Sequence, residues 1–240
     1  MTATQPLGTF FPDRDQPPLS EEEAAIVDRF HNLYYQRWLK AGADTKNLSW
    51  LGYNVRKCPL DLWIYQELIV RTRPDVIVET GTLYGGSALF MANVLDQLGH
   101  GRIVSVDIAP KPGLPQHPRI EYMTGSSVDP GVVSRVTGAV GGAPALVILD
   151  SDHSAGHVFH EMVAYAPLVQ VGGYLIVEDT NVNGHPTWPD YGPGPWEAVD
   201  QFLAGSDEFA VDRRCERFMM TLNPRGYLKR ERAAGQVRGA

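Results

Sequence analysis

From residue 76 onward, the chain alternates short apolar runs with longer stretches of helical periodicity. The runs are rich in β-branched residues, which is typical of buried strands. They are VIVE (76–79), IVSVD (103–107), IEYM (120–123), LVILD (146–150) and YLIVED (174–179). Between them apolar residues recur at helical spacing, as in Ala88, Leu89, Ala92 and Leu95. This order predicts an α/β fold with a mostly parallel, doubly wound sheet and helices on both faces.

Two helices are predicted ahead of the sheet. Ser20 and Glu23 have the spacing of a capping box, and the helix that starts there is expected to run to Gly42. A second helix is predicted for Pro59–Arg73, because Pro74 prevents its continuation. The apolar stripe of the first helix consists of Ile26, Phe30, Leu33, Tyr34 and Trp38.

The C-terminal part departs from this alternation. Pro195 begins a last predicted helix, and the runs FAVDRR and RFMMTLN after it resemble an antiparallel strand pair. The remaining residues are basic and small, which is typical of a peripheral tail. The predicted units are an irregular N-terminal arm (1–19), N-terminal helices that form a lid or oligomer contacts (20–73), the sheet domain (74–223) and a tail (224–240).

Composition restricts the partners and the setting. Hydrophobic residues make up 43% of the 240 residues, which suits one α/β domain. Lysine and arginine number 21 against 28 acidic residues, a net charge of -7, and no basic run suggests a nucleic-acid partner. No run is long enough to span a bilayer, so we expect no membrane partner. Because the two cysteines, Cys58 and Cys215, lack CxxC spacing, a reducing, cytoplasmic setting is expected.

The ends of the first three strands carry candidate cofactor residues, since ligands of doubly wound sheets bind at carboxyl ends. The first strand runs from Glu79 into a glycine-rich loop, where the backbone turns sharply and the amides of a helix start favour a carboxylate. Asp107 ends the second strand and is placed to bind ribose hydroxyls, and Ser127 lies in a polar loop suited to adenine. The candidates are Glu79, Gly81, Thr82, Tyr84, Gly85, Ser87, Asp107 and Ser127.

These residues favour a nucleoside with an amino-acid tail, and S-adenosylmethionine is the predicted cofactor. The dinucleotide fingerprint GxGxxG is absent, and the carboxylate of Glu79 would repel a pyrophosphate but suits an ammonium group. The plainer alternative is a glycine turn of purely geometric importance and an Asp107 that only caps a helix.

Acidic residues cluster at the ends of the fourth and fifth strands, in the segments Asp150–His153 and Glu178–Asn181. Carboxylates that converge at one edge repel one another unless a cation bridges them, and oxygen ligands suit Mg²⁺ or Ca²⁺. A metal there would fix a substrate hydroxyl and lower its pKa. The alternative is that Asp150 and Asp179 only cap the segments that follow them.

Five segments together resemble one family. They are ETGTLYGGSALFMANVL, GRIVSVDI, LDSDHSAGHVFHEM, PLVQVGGYLIVEDTNVNGHP and GPGPWEAVDQFL, and the similarity extends from about Trp50 to about Leu203. The chain resembles the cephalosporin hydroxylase family, which includes rhamnosyl O-methyltransferases. The resemblance implies a Rossmann-like class I methyltransferase fold of seven strands with the last one antiparallel, bound S-adenosylmethionine and Mg²⁺. A more distant similarity to catechol O-methyltransferase implies Ser87 at the methionine carboxylate and Ser127 near the adenine.

The relatives leave the metal ligands open between Asp150 and Asp152. Similarity to catechol methyltransferases selects Asp150, and the DxD pattern of macrolide-sugar methyltransferases selects Asp152. We prefer Asp152 with Glu178 and Asp179 as the metal ligands. Asp150 then belongs to the cofactor site, close to the methyl sulfonium, where its charge assists.

Three residues are candidates for the general base: Asp152, His153 and His185. Histidine has the most suitable unperturbed pKa for removing a proton near neutrality. The segment that follows His185, PTWPDYGPGP (186–195), is rich in aromatic residues, glycine and proline. Our hypothesis is that Trp188 and Tyr191 form a stacking wall for a sugar or another ring.

The leading functional hypothesis is metal-dependent O-methylation of a small natural product, with a sugar or a glycosylated secondary metabolite as the acceptor. One alternative is a hydroxylase or methyltransferase component in β-lactam tailoring, and another is a noncatalytic subunit that binds S-adenosylmethionine. A histidine-rich facial triad is absent around the acids, which disfavours iron oxygenation. The apolar residues Phe10, Phe11, Trp50 and Tyr53 suggest a homo-oligomer.

Overall fold

The computed structural model describes residue 12, residues 15–39 and residues 48–233, with the backbone alone at residues 38 and 39. Of the predicted N-terminal arm, residues 12 and 15–19 are described, and they form neither helix nor strand. Phe10, Phe11 and the predicted helix end at Gly42 lie outside the described residues.

A seven-stranded sheet forms the centre of the fold, and a two-stranded hairpin, β1 and β2, precedes it. The strand order is β5-β4-β3-β6-β7-β9-β8. Strands β3 to β7 are parallel, and β9 runs antiparallel to both β7 and β8. The predicted seven strands with an antiparallel last strand are therefore confirmed. The strands are β1 (Ser49–Trp50), β2 (Tyr53–Asn54), β3 (Val76–Thr80), β4 (Arg102–Asp107), β5 (Ile120–Thr124), β6 (Ala145–Leu149), β7 (Tyr174–Val177), β8 (Phe209–Val211) and β9 (Tyr227–Arg230).

Helices cover both faces of the sheet, as predicted. Alternate residues of each strand enter separate cores, because successive side chains of a strand point to opposite faces. Ile77 packs with α2 and α3 on one face, whereas Val76 and Val78 pack in the core that α4, α5 and α6 cover. Within the described residues, no helix combines the length and apolar character needed to cross a bilayer. The helices are α1 (Glu21–Tyr34), α2 (Pro59–Thr72), α3 (Gly86–Leu98), α4 (Pro130–Val140), α5 (Ala155–Tyr165) and α6 (Pro195–Gly205).

The first helix begins as predicted, but Ile26, Phe30 and Leu33 of its apolar stripe face solvent. Ser20 and Glu23 form the capping box, with the Glu23 amide bonded to the Ser20 hydroxyl and the Ser20 amide to the Glu23 carboxylate. Helix α1 ends at Tyr34 and continues as a π-helical turn, Tyr35–Leu39. The side chains of Ile26, Phe30 and Leu33 are 57%, 52% and 54% exposed. The helical periodicity is thus correct, but Ile26, Phe30 and Leu33 stay outside the core of their own chain, whereas Tyr34 packs on the buried cluster that contains Cys58.

The C-terminal strand pair differs from the prediction in its second member. RFMMTLN forms a turn and loop, and the second strand is Tyr227–Arg230, within the segment predicted as a peripheral tail. Tyr227 and Leu228 are completely buried. The prediction of a tail is wrong for these residues. The basic side chains of the segment interrupt the apolar pattern that is typical of a buried strand. Lys229 pairs with Glu231 and Arg230 with Glu208, so their charges reach partners while the backbone remains inside the sheet.

Candidate functional site

A cavity of about 860 Å³ opens at the carboxyl ends of the parallel strands. The chain leaves β3 towards β4 and β5 on one side and returns through β6 and β7 on the other, so the strand order reverses between β3 and β6. Residues that follow β3, β4, β5, β6 and β7 line the cavity. This is the position at which doubly wound sheets bind their ligands.

The glycine loop after β3 packs directly on the end of β6. Gly81 has a φ of +90°, and a Cβ atom there would lie 1.8 Å from the carbonyl oxygen of Asp150. Gly85 has a φ of +71° and precedes the first turn of α3. Both positions therefore require glycine, since a side chain would clash or strain the backbone. The loop backbone lies on the cavity wall, to which Gly81 contributes.

A buried cluster of polar side chains holds the glycine loop in place. The carboxylate of Glu79 accepts hydrogen bonds from the hydroxyls of Ser87 (2.5 Å) and Ser105 (2.7 Å), and Ser105 also bonds to Thr82. Burial raises the pKa of Glu79 above its ordinary value. Glu79, Thr82 and Ser87 do not line the cavity, and neither do Tyr84 and Gly85. The hydrogen bonds of Glu79 explain how the loop is held. Contact of these five residues with a cofactor stays a prediction.

Asp107 and Ser127 lie on the cavity wall, as their proposed contacts with ribose and adenine require. Asp107 accepts hydrogen bonds from the amides of Leu83 (2.8 Å) and Ala109 (2.7 Å), which fix the carboxylate between the two loops. Each carboxylate oxygen has a second lone pair for a ligand hydroxyl. The geometry agrees with the proposed contacts, which stay a prediction.

Sequence analysis did not identify the polar group behind Ser127. The hydroxyls of Ser127 and Ser151 each lie 3.1 Å from Nε2 of His157, and Ser151 donates to the buried carboxylate of Glu161 at 2.7 Å. Hydrogen bonding to Glu161 raises the pKa of His157. His157 and Glu161 are one helical turn apart on α5, but that spacing is common on helices and did not identify a site.

Asp150, His153 and Asp179 form a cluster at the cavity wall. Ligand atoms of these three residues all lie within 4.8 Å of one another. The His153 ring lies between the two acids, with Nε2 3.4 Å from Asp150 Oδ1 and Nδ1 3.3 Å from Asp179 Oδ2. Asp179 has a φ of +52°, a left-handed conformation that aspartate adopts more readily than most residues. Two carboxylates and an imidazole at these distances are a suitable donor set for a divalent cation.

The ionisation of this cluster follows from its burial and its charges. Burial alone would lower the pKa of His153, but Asp179 and Asp150 outweigh burial and raise it to about 9. Burial raises the pKa of Asp179, although His153 opposes the shift. Without a metal, a protonated His153 therefore bridges the two acids at neutral pH.

Lys57 neutralises the cluster from the protein interior. Its side chain is 2% exposed, and its ammonium group lies 2.7 Å from Asp150 Oδ2 and 2.5 Å from Glu178 Oε1. Burial alone would lower the pKa of Lys57, but the two carboxylates raise it above its ordinary value. Burial and the neighbouring Asp150 raise the pKa of Glu178. Sequence analysis missed Lys57, since a single lysine before α2 carries no recognisable signal.

Asp152 and His185 are not brought into the cluster. Asp152 is exposed at the cavity edge, and its Oδ1 accepts hydrogen bonds from the amide and hydroxyl of Ser154, which orders the turn before α5. His185 is hydrogen-bonded to Glu197 at 3.0 Å and stacks on Trp196 at 4.1 Å, and it does not line the cavity. The preference for Asp152 over Asp150 and the catalytic role expected of His185 therefore lack support from the geometry.

Aromatic side chains line the side of the cavity opposite the strands. Tyr35, from the π-helical turn, and Trp188 have ring centroids 6.5 Å apart, and Trp188 meets Tyr191 edge-on at 4.9 Å. His31 and Asn32 of α1 attach this turn to the loop after β7, through Asn181 and the carbonyl of Pro186. Three rings from two segments thus form one wall next to the acid cluster.

The strand order, the glycine loop and the carboxylate that ends β4 define the class I methyltransferase fold. The chain belongs to the family described as Rhamnosyl O-methyltransferase/CmcI, whose sequence model matches residues 43–231. This result confirms the resemblance found in the sequence, and with it the prediction of an S-adenosylmethionine-dependent O-methyltransferase.

Individual relatives agree with this family. A rhamnosyl O-methyltransferase from Mycobacterium bovis is 36% identical over 219 residues, which cover 86% of this chain and 85% of the relative. A Streptomyces olivaceus 3'-O-methyltransferase that acts on a methoxyrhamnosyl tetracenomycin is 36% identical over 110 residues, 46% of this chain and 25% of that protein. A CmcI structure with Mg and SAM has a TM-score of 0.60 at 21% identity, and covers 94% of this chain and 89% of its own. This structural similarity supports the fold.

The bridging position of His153 predicts a pH-dependent stability. Its pKa rises from 6.5 to about 9 on folding, so its contribution is complete below pH 6.5 and is lost as the pH rises through about 9. In EDTA, His153→Asn should lower the free energy of unfolding at pH 6.5 by a few kcal/mol, on the order of 3, and by much less at pH 9.5. Urea unfolding at both pH values measures this difference. An equal loss at the two pH values would contradict the prediction.

Proposed function

We propose that this chain is a metal-dependent O-methyltransferase that transfers the methyl group of S-adenosylmethionine to a hydroxyl of a sugar-bearing small molecule. The observation that carries the proposal is one cavity with three kinds of wall. The glycine loop and Asp107 suit a nucleoside, Asp150, His153 and Asp179 suit a cation, and the aromatic residues suit a sugar face. The relatives are named for methyl transfer to rhamnosyl compounds, which does not favour the β-lactam hydroxylase alternative.

The cofactor would bind along the carboxyl ends of β3, β4 and β5. Asp107 would accept hydrogen bonds from the ribose hydroxyls, and Ser127 would bind the adenine edge. The backbone of the loop that begins at Gly81 would receive the amino-acid tail, because its amides precede the start of α3. The sulfonium would then face Asp150, whose carboxylate stabilises positive charge.

The acceptor hydroxyl would bind next to the acid cluster. We propose Asp150 and Asp179 as the metal ligands, in place of the set that contains Asp152. A bound Mg²⁺ would supply positive charge that orients the hydroxyl and lowers its pKa. The imidazole of His153, kept neutral by that charge, is the base that accepts the proton.

Metal removal and two asparagine variants test this assignment. Excess EDTA should stop methyl transfer, and Mg²⁺ should restore it. Asp150→Asn and Asp179→Asn should lower kcat/KM by about 100-fold or more, because several kcal/mol of charge stabilisation are lost. Initial rates of S-adenosylhomocysteine release with a rhamnosyl acceptor measure the effect.

Asp152→Asn is the matched control, since an amide oxygen can still accept the hydrogen bonds from Ser154. Its rate should remain within about threefold of the native rate. Full turnover in EDTA would contradict the metal requirement, and a loss confined to Asp152→Asn would restore Asp152 as the ligand.

The aromatic wall should determine affinity for the acceptor and not for the cofactor. Trp188→Ala and Tyr191→Ala should each raise the KM for a rhamnosyl acceptor by about 2- to 10-fold, the value of one aromatic contact. The Kd for S-adenosylhomocysteine, measured by calorimetry, should change little. Trp63→Ala is the control, because Trp63 is 58% exposed on α2 and does not line the cavity. Unchanged KM and kcat in both wall variants would rule out a stacking wall.

We also propose that the chain forms a homo-oligomer through the exposed stripe of α1. Ile26, Phe30 and Leu33 form an apolar surface of a kind that soluble monomers seldom expose. Trp50 does not support the proposal, since it packs on Phe90 and bonds to Asn93 in its own chain. Light scattering should give a multiple of 26.5 kDa, and Phe30→Glu should reduce that mass. A native mass of one chain would contradict the proposal.

The proposed setting is the cytoplasm. Cys58 and Cys215 are both buried free thiols. Thiols persist in reducing compartments, whereas oxidising compartments favour disulfides.

A further inference from the structure

Lys57 approaches the acid cluster from the protein interior. Its side chain is buried, and it does not line the cavity, whereas Asp150, His153 and Asp179 do. It belongs to the segment between β2 and α2, which places its ammonium group against the ends of β6 and β7. A ligand that enters the cavity therefore meets the acids with Lys57 behind them.

The two oxygens of Asp150 have different partners. Oδ2 accepts a hydrogen bond from Lys57 at 2.7 Å, and Oδ1 lies 3.4 Å from Nε2 of His153. Glu178 bonds to Lys57 on the interior side and, like Lys57, does not line the cavity. A cation that binds Asp150 and Asp179 from the cavity can thus balance their charge without a proton on His153, while the contacts of Lys57 remain.

We propose that Lys57 is a fixed counter-ion of the acid cluster, which holds Asp150 and Glu178 in place when no metal is bound and keeps metal binding reversible. The inference rests on the proposed function, because it assumes that the cluster binds a divalent cation. Lys57 is a positioning residue here, since it contacts neither the cavity nor the reacting atoms.

Two physical effects follow from a positive charge at this position. Without it, carboxylates at the ends of neighbouring strands would face one another with no positive charge in the interior, and the fold would need a cation from outside. With it, a positive charge lies close to any bound metal and weakens binding by repulsion. Lys57 therefore weakens metal binding but keeps the site assembled when no metal is bound.

The test compares Lys57→Met, which keeps the length of the side chain and removes its charge, with Lys57→Arg, which keeps the charge. Lys229→Met, on β9 with an exposed partner in Glu231, controls for the loss of a lysine elsewhere. Two quantities are measured at pH 8 on the full chain. They are the Tm in EDTA and in MnCl2, and the Kd for Mn²⁺ from the EPR signal of the free ion.

Mn²⁺ should raise the Tm of the native chain and of Lys229→Met only by the amount that binding to an already assembled site supplies, and by less than it raises the Tm of Lys57→Met. Lys57→Met should lose about 5 °C or more in EDTA, recover it in Mn²⁺ and bind Mn²⁺ at least about tenfold more tightly than the native chain. Lys57→Arg should resemble the native chain in both measurements, because charge and not length is the property that matters.

Three results would overturn the inference. They are an Mn²⁺ affinity of Lys57→Met equal to or weaker than the native value, a Lys57→Arg variant that behaves like Lys57→Met, and a Lys57→Met variant that stays unfolded in Mn²⁺. Failure of the proposed function gives a different pattern, in which the native chain binds no Mn²⁺ and transfers methyl groups in EDTA. Neither measurement depends on turnover, so the two failures are distinguishable.

Discussion

The site depends on the pairing of four carboxylates that the fold buries at one end of the sheet. Glu79 lies near the end of β3, Asp150 follows β6, and Glu178 and Asp179 follow β7. An unpartnered buried charge costs about 3–5 kcal/mol. Lys57 pairs with two of them in the interior, and His153 lies between two at the cavity. The hydroxyls of Ser87 and Ser105 donate hydrogen bonds to Glu79. The fold thus concentrates negative charge where a cation and a sulfonium are useful, while the interior remains paired.

Much of the fold was predictable because four of the five parallel strands, β3, β4, β6 and β7, are buried on both faces. Such strands consist of nearly continuous β-branched runs, and the structure places β3 to β7 within one or two residues of the predicted ends. The site position followed from topology, since Asp107, Ser127 and Asp150 lie where a doubly wound sheet binds ligands. The antiparallel last strand was expected from the family resemblance.

Other features depend on contacts distant in sequence, which local patterns do not contain. β9 was missed because Lys229 and Arg230 carry charges, which pair with Glu231 and Glu208, although their backbone is inside the sheet. The DxD pattern does not show which carboxylate turns inward: Asp150 turns towards Lys57 and His153, whereas Asp152 accepts hydrogen bonds from Ser154 in an exposed turn. The role of Lys57 arises from residues 93 and 121 positions away.

The contact between Gly81 and Asp150 joins two parts of the site that are 69 residues apart in sequence. Because Gly81 has no side chain, the carbonyl of Asp150 lies against the glycine loop. A shift of either backbone would therefore displace the other. Coupling between two binding sites is reciprocal. If one ligand orders this contact when it binds, a second ligand meets a contact that is already ordered. The amide of Asp150 is also hydrogen-bonded to Thr80, next to Gly81, so a ligand at the loop and a ligand at the acid cluster would act on the same stretch of backbone.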